Sequence, residues 1–122
     1  MTVELNHIII PAHDKVASAR FLADILGLTP GEPFGPFVPV TVGNGVTLDF
    51  ADRAEFHSQH CAFLVGDAEY DAAFARIRER GITHYADPGH TRPGEVNSYN
   101  GGRGFYFDDP SGHNWELLTR AS

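Results

Sequence analysis

Apolar residues recur at intervals of three and four in two segments of the chain, which predicts two amphipathic helices. The apolar positions of the first segment are Phe21, Leu22, Ile25 and Leu26. Those of the second segment are Tyr70, Ala73, Phe74 and Ile77. Asp14 and Asp67 stand before these segments, and an aspartate is a favourable N-cap. Gly27 and Gly81 follow them, as expected where a left-handed residue ends a helix.

Short apolar runs predict the strands. One run precedes each predicted helix, at residues 7–10 and 60–65. Two more follow each helix, and each of these pairs flanks a turn. The pairs are 37–42 with 46–50, around Gly43-Asn44-Gly45, and 104–107 with 114–118, around residues 109–112.

The two halves of the chain repeat this order. His7 and His60 open the first strands, and 53 residues separate them, as they separate Asp14 from Asp67. The last strands also correspond, because a glycine precedes a carboxylate by four residues in both (Gly45 and Asp49, Gly112 and Glu116). We therefore predict an α+β fold of two βαβββ modules, roughly residues 1–54 and 57–122, in a single domain of residues 1–122.

A histidine on each first strand and a carboxylate on each last strand are not required by a repeated fold. Asp49 and Glu116 interrupt apolar segments, where an unpaired carboxylate is costly. Together with His7 and His60 they form a nitrogen and oxygen ligand set that suits divalent Fe, Ni, Mn, Zn or Co. Alternatively, each histidine is a hydrogen-bonded structural residue and each carboxylate a salt-bridge partner.

Composition and charge argue against some classes of partner. The chain has 122 residues, a formal charge of −7 and no lysine or arginine cluster, which argues against a nucleic-acid partner. Its one cysteine, Cys61, lies in an apolar run and fits a buried thiol in a reducing compartment. The N-terminal residues do not read as a signal peptide, and no apolar run is long enough to cross a membrane. We expect a cytoplasmic protein with no membrane partner.

The chain resembles the vicinal oxygen chelate superfamily, which includes glyoxalase I, fosfomycin-resistance thiol transferases, extradiol dioxygenases and bleomycin-resistance proteins. The resemblance covers nearly the whole chain. It rests on Asn6-His7, on Gln59-His60, on the helix ending Ile25-Leu26-Gly27-Leu28, and above all on the closing segment of residues 105–117 with its Asp-Pro-Ser-Gly turn and Glu116. It implies curled mixed sheets around an open cavity, and a homodimer with sites shared between two chains. By the same matching, His7, His60 and Glu116 are metal ligands and Asp49 is a fourth.

The resemblance implies a metal-dependent lyase, isomerase or dioxygenase that acts on a small oxygen-rich substrate chelated by the metal. Asp49 or Glu116 would shuttle a proton, and Tyr106 matches a tyrosine of the dioxygenase closing signature. That signature also has an acid/base histidine shortly before Phe105, where this chain has residues 97–99, Asn-Ser-Tyr; the alternative is that His90 supplies this group from further upstream.

The alternative is a non-catalytic antibiotic-binding protein with an aromatic-lined cavity. The expected cavity residues are Phe34, Phe37, Phe50, Tyr99, Arg103 and Trp115.

Overall fold

The computed structural model describes residues 2–121, and the chain divides after His57 into two compact units. The elements of the first unit are β1 (His7–Ala12), α1 (Lys15–Leu26), β2 (Phe37–Thr41) and β3 (Thr47–Asp52). Those of the second are β4 (His60–Leu64), α2 (Asp67–Glu79), a 3-10 turn (Tyr99–Gly101), β5 (Gly104–Asp108) and β6 (Asn114–Leu118). No helix within residues 2–121 is both long and apolar enough to cross a membrane.

The first unit is a three-stranded mixed sheet covered by α1. Its strand order is β1-β3-β2, with β1 parallel and β2 antiparallel to the central strand β3. Helix α1 packs against all three strands. The apolar side chains buried between helix and sheet include Ile10, Leu22, Ile25, Val40 and Phe50. Because side chains alternate along a strand, the residues between these positions point to the opposite face of the sheet.

Helix α1 begins and ends as the sequence predicts. The carboxylate of Asp14 accepts a hydrogen bond from the Ala17 N–H at 3.1 Å, which satisfies one of the free N–H groups of the first turn. Gly27 ends the helix at φ 73° and ψ 28°, a left-handed conformation that glycine adopts without steric cost. Both helix signals are therefore confirmed.

The second unit repeats the arrangement with α2. The strand order is β4-β6-β5, with β4 parallel and β5 antiparallel to the central strand β6. The rings of Tyr70 and Phe74, on α2, meet the ring of Phe105 at 5.4 Å between centroids. Trp115 and Leu117 of β6 are fully buried on the same side of the sheet as Phe105. The core of this unit is thus the side of the sheet that faces α2.

The turn between β5 and β6 is held by Asp109. Its Oδ1 accepts hydrogen bonds from the backbone N–H groups of Ser111 and His113, at 3.0 and 2.9 Å. Gly112 takes φ 87°, which favours glycine over residues with a side chain. The turn therefore fixes how many residues separate β5 from β6.

Two predicted details differ in the structure. Asp67 was predicted to cap α2, but the N-cap is Gly66 and no side chain caps the helix, so this prediction is wrong. Asp67 lies in the first turn and binds Arg103 at 2.9 Å instead. Each sheet has three strands, at the three predicted places in each half, whereas a βαβββ module has four. Isolated bridges at Phe34 and Tyr85 lie between the helix and the next strand of each unit. The α+β fold with mixed sheets is confirmed.

Candidate functional site

In both units a carboxylate lies on the central strand and a histidine opens the neighbouring parallel strand. His7 pairs with Thr47, so that Ile9, two residues later, pairs with Asp49. His60 pairs with Asn114, and Ala62 pairs with Glu116. The offset from histidine to carboxylate is the same in both sheets. The repeat seen in the sequence is therefore also a repeat in strand register.

These four side chains lie on the sheet faces that point away from the helices. In the second unit Phe105, Trp115 and Leu117 face α2, so the alternate residues Tyr106 and Glu116 face the other way. His60 shares this face by its register with Asn114. We call this surface, defined by His60, Tyr106, Asn114 and Glu116, the open face of the second sheet.

His60 and Glu116 form a close pair. The distance between His60 Nε2 and Glu116 Oε1 is 3.1 Å, and the side chains are 45% and 10% exposed. His60 Nδ1 lies 2.9 Å from the backbone oxygen of Asn114, to which it can donate. Donation from both ring nitrogens requires the imidazolium form, and a divalent cation can take the place of the Nε2 proton. A backbone oxygen that orients Nδ1–H is a common second partner of metal-binding histidines.

Tyr106 completes the pair. It lies opposite Glu116 in the β5–β6 register, and its ring stacks on His60 at 5.6 Å between centroids with 29° between planes. Burial, the negative charge of Glu116 and a hydrogen bond to that carboxylate raise the pKa of Tyr106. The phenol therefore stays protonated at neutral pH and acts as a hydrogen-bond donor.

His90 also reaches the open face, from the loop between α2 and β5. Its ring stacks on Tyr85 at 4.0 Å with 7° between planes. Its Nε2 lies 3.2 Å from Asn114 Oδ1 and 3.5 Å from Asp108 Oδ1. The backbone of His90 has φ 59°, which is uncommon for a residue with a side chain. Burial raises the pKa of Asp108, and the nearby His90 opposes this effect.

Little in the sequence predicts that His90 lies here. It lies fifteen residues before Phe105 in a loop with no periodic pattern, and a left-handed histidine cannot be recognised from its neighbours. Asn114 is the residue that connects it to the pair, because its backbone oxygen faces His60 and its side-chain oxygen faces His90. Asn114 was not predicted as a site residue either.

The first unit holds Asp49 on the face opposite α1. Asp49 is 4% exposed, and its Oδ1 has no hydrogen-bond partner within residues 2–121. Its neighbours in register are the apolar residues Ile9 and Pro39. His7 is exposed, and its Nδ1 lies 2.8 Å from Asn6 Oδ1. A buried carboxylate oxygen without a partner is costly, and a bound cation would remove that cost.

The donor set of each unit fits a divalent metal. Each unit supplies an imidazole and a carboxylate, the ligands that Fe, Ni, Mn, Zn and Co accept. Across residues 2–121 no three His, Cys, Asp or Glu side chains are close enough together to hold an ion. The structure brings together His60, Glu116 and Tyr106, and it places His7 and Asp49 in the first unit.

The six residues predicted to line a cavity lie in three kinds of environment. Phe50 and Trp115 are fully buried in the cores of their units, on the sides that face the helices. Phe34 is exposed, and its ring lies tilted against the ring of the half-buried Phe37, at 5.7 Å between centroids. Tyr99 and Arg103 line a cleft of about 390 Å³ formed by residues 92–103 of the second unit.

Comparison with known proteins identifies relatives of the whole chain. The model of the Glyoxalase/Bleomycin resistance protein/Dioxygenase superfamily matches residues 4–117. The structure of Oxidase ChaP-H2 is 60% identical, with a TM-score of 0.96 over 99% of this chain and 96% of that chain. Oxidase ChaP-H1 is also 60% identical, with a TM-score of 0.95 over 98% of each chain. Glutathione transferase FosA of Serratia marcescens is 26% identical over 124 residues, which cover 96% of this chain and 81% of FosA.

Proposed function

Because the chain belongs to the glyoxalase/bleomycin resistance protein/dioxygenase superfamily, we propose that it is a metal-dependent oxidase acting on a small oxygen-rich substrate. The observation that carries the metal site is the pairing of His60 Nε2 with Glu116 Oε1 at 3.1 Å on an open sheet face. The 60% identity to two proteins named oxidases favours oxidation over the lyase and transferase reactions of more distant relatives.

The proposed ligands are His7, His60 and Glu116, with Asp49 as a fourth. Each unit carries one histidine and one carboxylate at the same register, so two such pairs make a complete set. We propose that a homodimer brings the pair of one protomer to the pair of its partner. The buried Oδ1 of Asp49, which has no hydrogen-bond partner within residues 2–121, supports its inclusion, although aspartate reaches less far than glutamate.

The metal, when bound, would hold two substrate oxygens and stabilise the negative charge that develops on them. The remaining chemistry belongs to side chains on the open face. Tyr106 keeps its proton, because its pKa is raised, and can donate a hydrogen bond to a substrate oxygen beside Glu116. His90 lies on the same face and can accept the proton that a substrate hydroxyl loses when it is oxidised. Dioxygen, the electron acceptor of an oxidase, would take up two electrons and two protons, one of them from His90, and leave as hydrogen peroxide.

Metal analysis tests the site. Wild-type protein without an affinity tag, His60→Ala and the control His57→Ala are each loaded with Fe²⁺, Mn²⁺, Ni²⁺ or Zn²⁺ and then desalted. His57 is exposed and is not a proposed ligand, so His57→Ala should retain the metal of the wild type. His60→Ala should lose it. Wild-type protein that retains none of the four ions would refute the metal site.

Activity assays test the reaction. Dioxygen consumption is followed with a panel of catechols and hydroxyquinones, for wild type and His60→Ala. We expect consumption that depends on metal and on His60. Turnover of methylglyoxal or of fosfomycin with glutathione, without dioxygen consumption, would instead assign a lyase or transferase reaction to the same metal site.

Sequestration is the second candidate, and the exposed ring of Tyr99 in its cleft favours it. It predicts that an aromatic antibiotic binds and is recovered unaltered. A product that depends on metal and dioxygen would exclude this candidate.

A further inference from the structure

We propose that the cleft beside β5 is a binding site for an uncharged, oxygen-bearing ring of the substrate. The assignment of this ring to the substrate rests on the proposed oxidase function; the binding site itself does not. The side chains that define this Tyr99 cleft are those of Arg92, Val96, Ser98, Tyr99 and Arg103. Neither the superfamily nor the ligand set of the metal requires a site at this place.

The cleft adjoins the open face through Asn97 and Gly104. These two residues pair across a backbone bridge, and a Cβ on Gly104 would lie 2.8 Å from Asn97 Oδ1. The side chain of Asn97 therefore lies over Gly104, on the face that Gly104 shares with Tyr106. Asn97 Oδ1 accepts a hydrogen bond from the Tyr99 N–H at 3.2 Å. The loop that carries Tyr99 thus begins directly beside the open face.

Carboxylates pair with both guanidinium groups of the cleft and outnumber them. Arg103 donates to Asp71 at 2.8 Å and to Asp67 at 2.9 Å. Arg92 donates to Glu95 at 2.7 Å. Three carboxylates therefore accompany the two guanidinium groups, and an anionic ligand would meet no net positive charge. An anionic ligand is therefore disfavoured, and the ligand that we propose is uncharged.

The polar groups of the cleft favour oxygen atoms on the ligand. A guanidinium has more N–H donors than these ion pairs use, so Arg92 and Arg103 retain donors for carbonyl or hydroxyl oxygens. Arg103 is also held by stacking, with its guanidinium carbon 4.3 Å from the centre of the Tyr70 ring. A donor that is already held in place loses little freedom when a ligand binds.

The apolar groups of the cleft favour a ring. Tyr99 and Val96 are each 44% exposed, so both side chains leave apolar surface in contact with solvent. A planar ligand can cover the Tyr99 ring while its oxygens reach the donors around it. The cleft volume of about 390 Å³ is sufficient for one or two fused rings.

Binding of a fluorescent probe tests the proposal without the metal. The probe is 7-hydroxy-4-methylcoumarin at about pH 6, where its hydroxyl group is protonated, and the buffer contains EDTA. Fluorescence anisotropy should show saturable binding to the wild type. Tyr99→Ala should weaken binding at least about fivefold through loss of the stacked ring, and Tyr99→Phe at most about twofold.

Val96→Ala and Val16→Ala are the matched pair of variants. Both valines are exposed, at 44% and 45%, but Val16 lies on α1 in the other unit. Val96→Ala should weaken binding and Val16→Ala should not. The anionic analogue 7-hydroxycoumarin-3-carboxylic acid should bind more weakly than the uncharged probe. Circular dichroism melts check that each variant is folded.

Several results would overturn the proposal: no saturable binding, equal affinity of wild type and Tyr99→Ala, or tighter binding of the carboxylate. These outcomes are independent of the oxidase assay, because EDTA removes the metal. A protein that consumes no dioxygen but binds the probe through Tyr99 would support the binding site and refute the oxidase function. A protein that consumes dioxygen but does not bind the probe would support the oxidase function and refute the proposed role of the cleft.

Discussion

Replacing Asp49 by leucine separates the energetic cost of a buried carboxylate from its proposed use as a metal ligand. Leucine keeps the branched outline of aspartate, and the register neighbours Ile9 and Pro39 are apolar. Asp49 Oδ1 has no hydrogen-bond partner within the described part of the chain. The side chain therefore costs free energy in the metal-free protein, and Asp49→Leu should be more stable than the wild type.

The size of the gain follows from the burial of Asp49. A buried acceptor without a partner costs about 1–3 kcal/mol. For a chain of 122 residues, an unfolding entropy of about 2.1 cal/mol/K per residue gives a rise in Tm of about 4 °C for each kcal/mol. We expect Asp49→Leu to raise Tm by about 4–12 °C in EDTA. A metal at a hundred times its Kd would stabilise the wild type by about 2.7 kcal/mol and the variant by less.

The assay is calorimetric unfolding of wild type and variant, in EDTA and in saturating Mn²⁺ or Ni²⁺. Thr47→Val is the control on the same strand and face. It also removes a polar group, but that hydroxyl lies 3.1 Å from Thr41 Oγ1 and so has a partner. Thr47→Val should not raise Tm in EDTA, and its response to metal should equal that of the wild type.

Two results would contradict this reasoning. A lower Tm of Asp49→Leu in EDTA would mean that Asp49 stabilises the fold without metal. An equal rise in Tm on metal addition for wild type and variant would mean that Asp49 is not a ligand. In the second case His7, His60 and Glu116 would remain as the proposed ligands.

Three further predictions concern stability and activity. Asp14→Ala should lower the free energy of unfolding in urea by about 1 kcal/mol, because the cap of α1 is lost; no change would deny the cap a role. Burial lowers the pKa of His84 below its usual 6.5, so the unfolded chain binds more protons and stability should fall as pH decreases through this value. His84→Gln should flatten that dependence in urea titrations, and an unchanged slope would assign it to other groups. Tyr106→Phe should reduce dioxygen consumption about tenfold or more while the metal content stays unchanged, because the phenol donor beside Glu116 is lost; full activity would remove Tyr106 from the mechanism.

Local signals in the sequence were sufficient for the element order and for most of the element ends. The apolar spacing of the helices, the cap at Asp14 and the glycine at residue 27 each act through neighbours in the chain, and each is confirmed. The cap at Asp67 was predicted by the same reasoning and is wrong. Arg103, which is distant in the sequence, binds Asp67 and Asp71 one turn apart on α2. A tertiary ion pair therefore took the place of a local hydrogen bond.

The candidate site shows the same limit. His60 and Glu116 could be paired from the repeat, because equivalent strands take equivalent registers. The approach of His90 was raised only as an alternative, since it depends on a left-handed backbone and on contacts to Asn114 and Asp108. The cleft likewise depends on how Asn97 lies over Gly104. The positions of His90 and of the cleft therefore depend on loop conformation, which periodic patterns in the sequence do not predict.

The turn held by Asp109 restricts how this protein can change during evolution. Side chains alternate along β6, so inserting one residue after Asp109 would point Glu116 towards α2 and send Trp115 to the opposite face. Inserting two residues would return Glu116 to the open face, but would shift it along β6 by two positions relative to His60. Substitutions in the turn are tolerable if its hydrogen bonds survive, whereas changes in its length are not. Descendants of this chain should therefore keep the length of residues 109–112 constant, while the identities of the turn residues change.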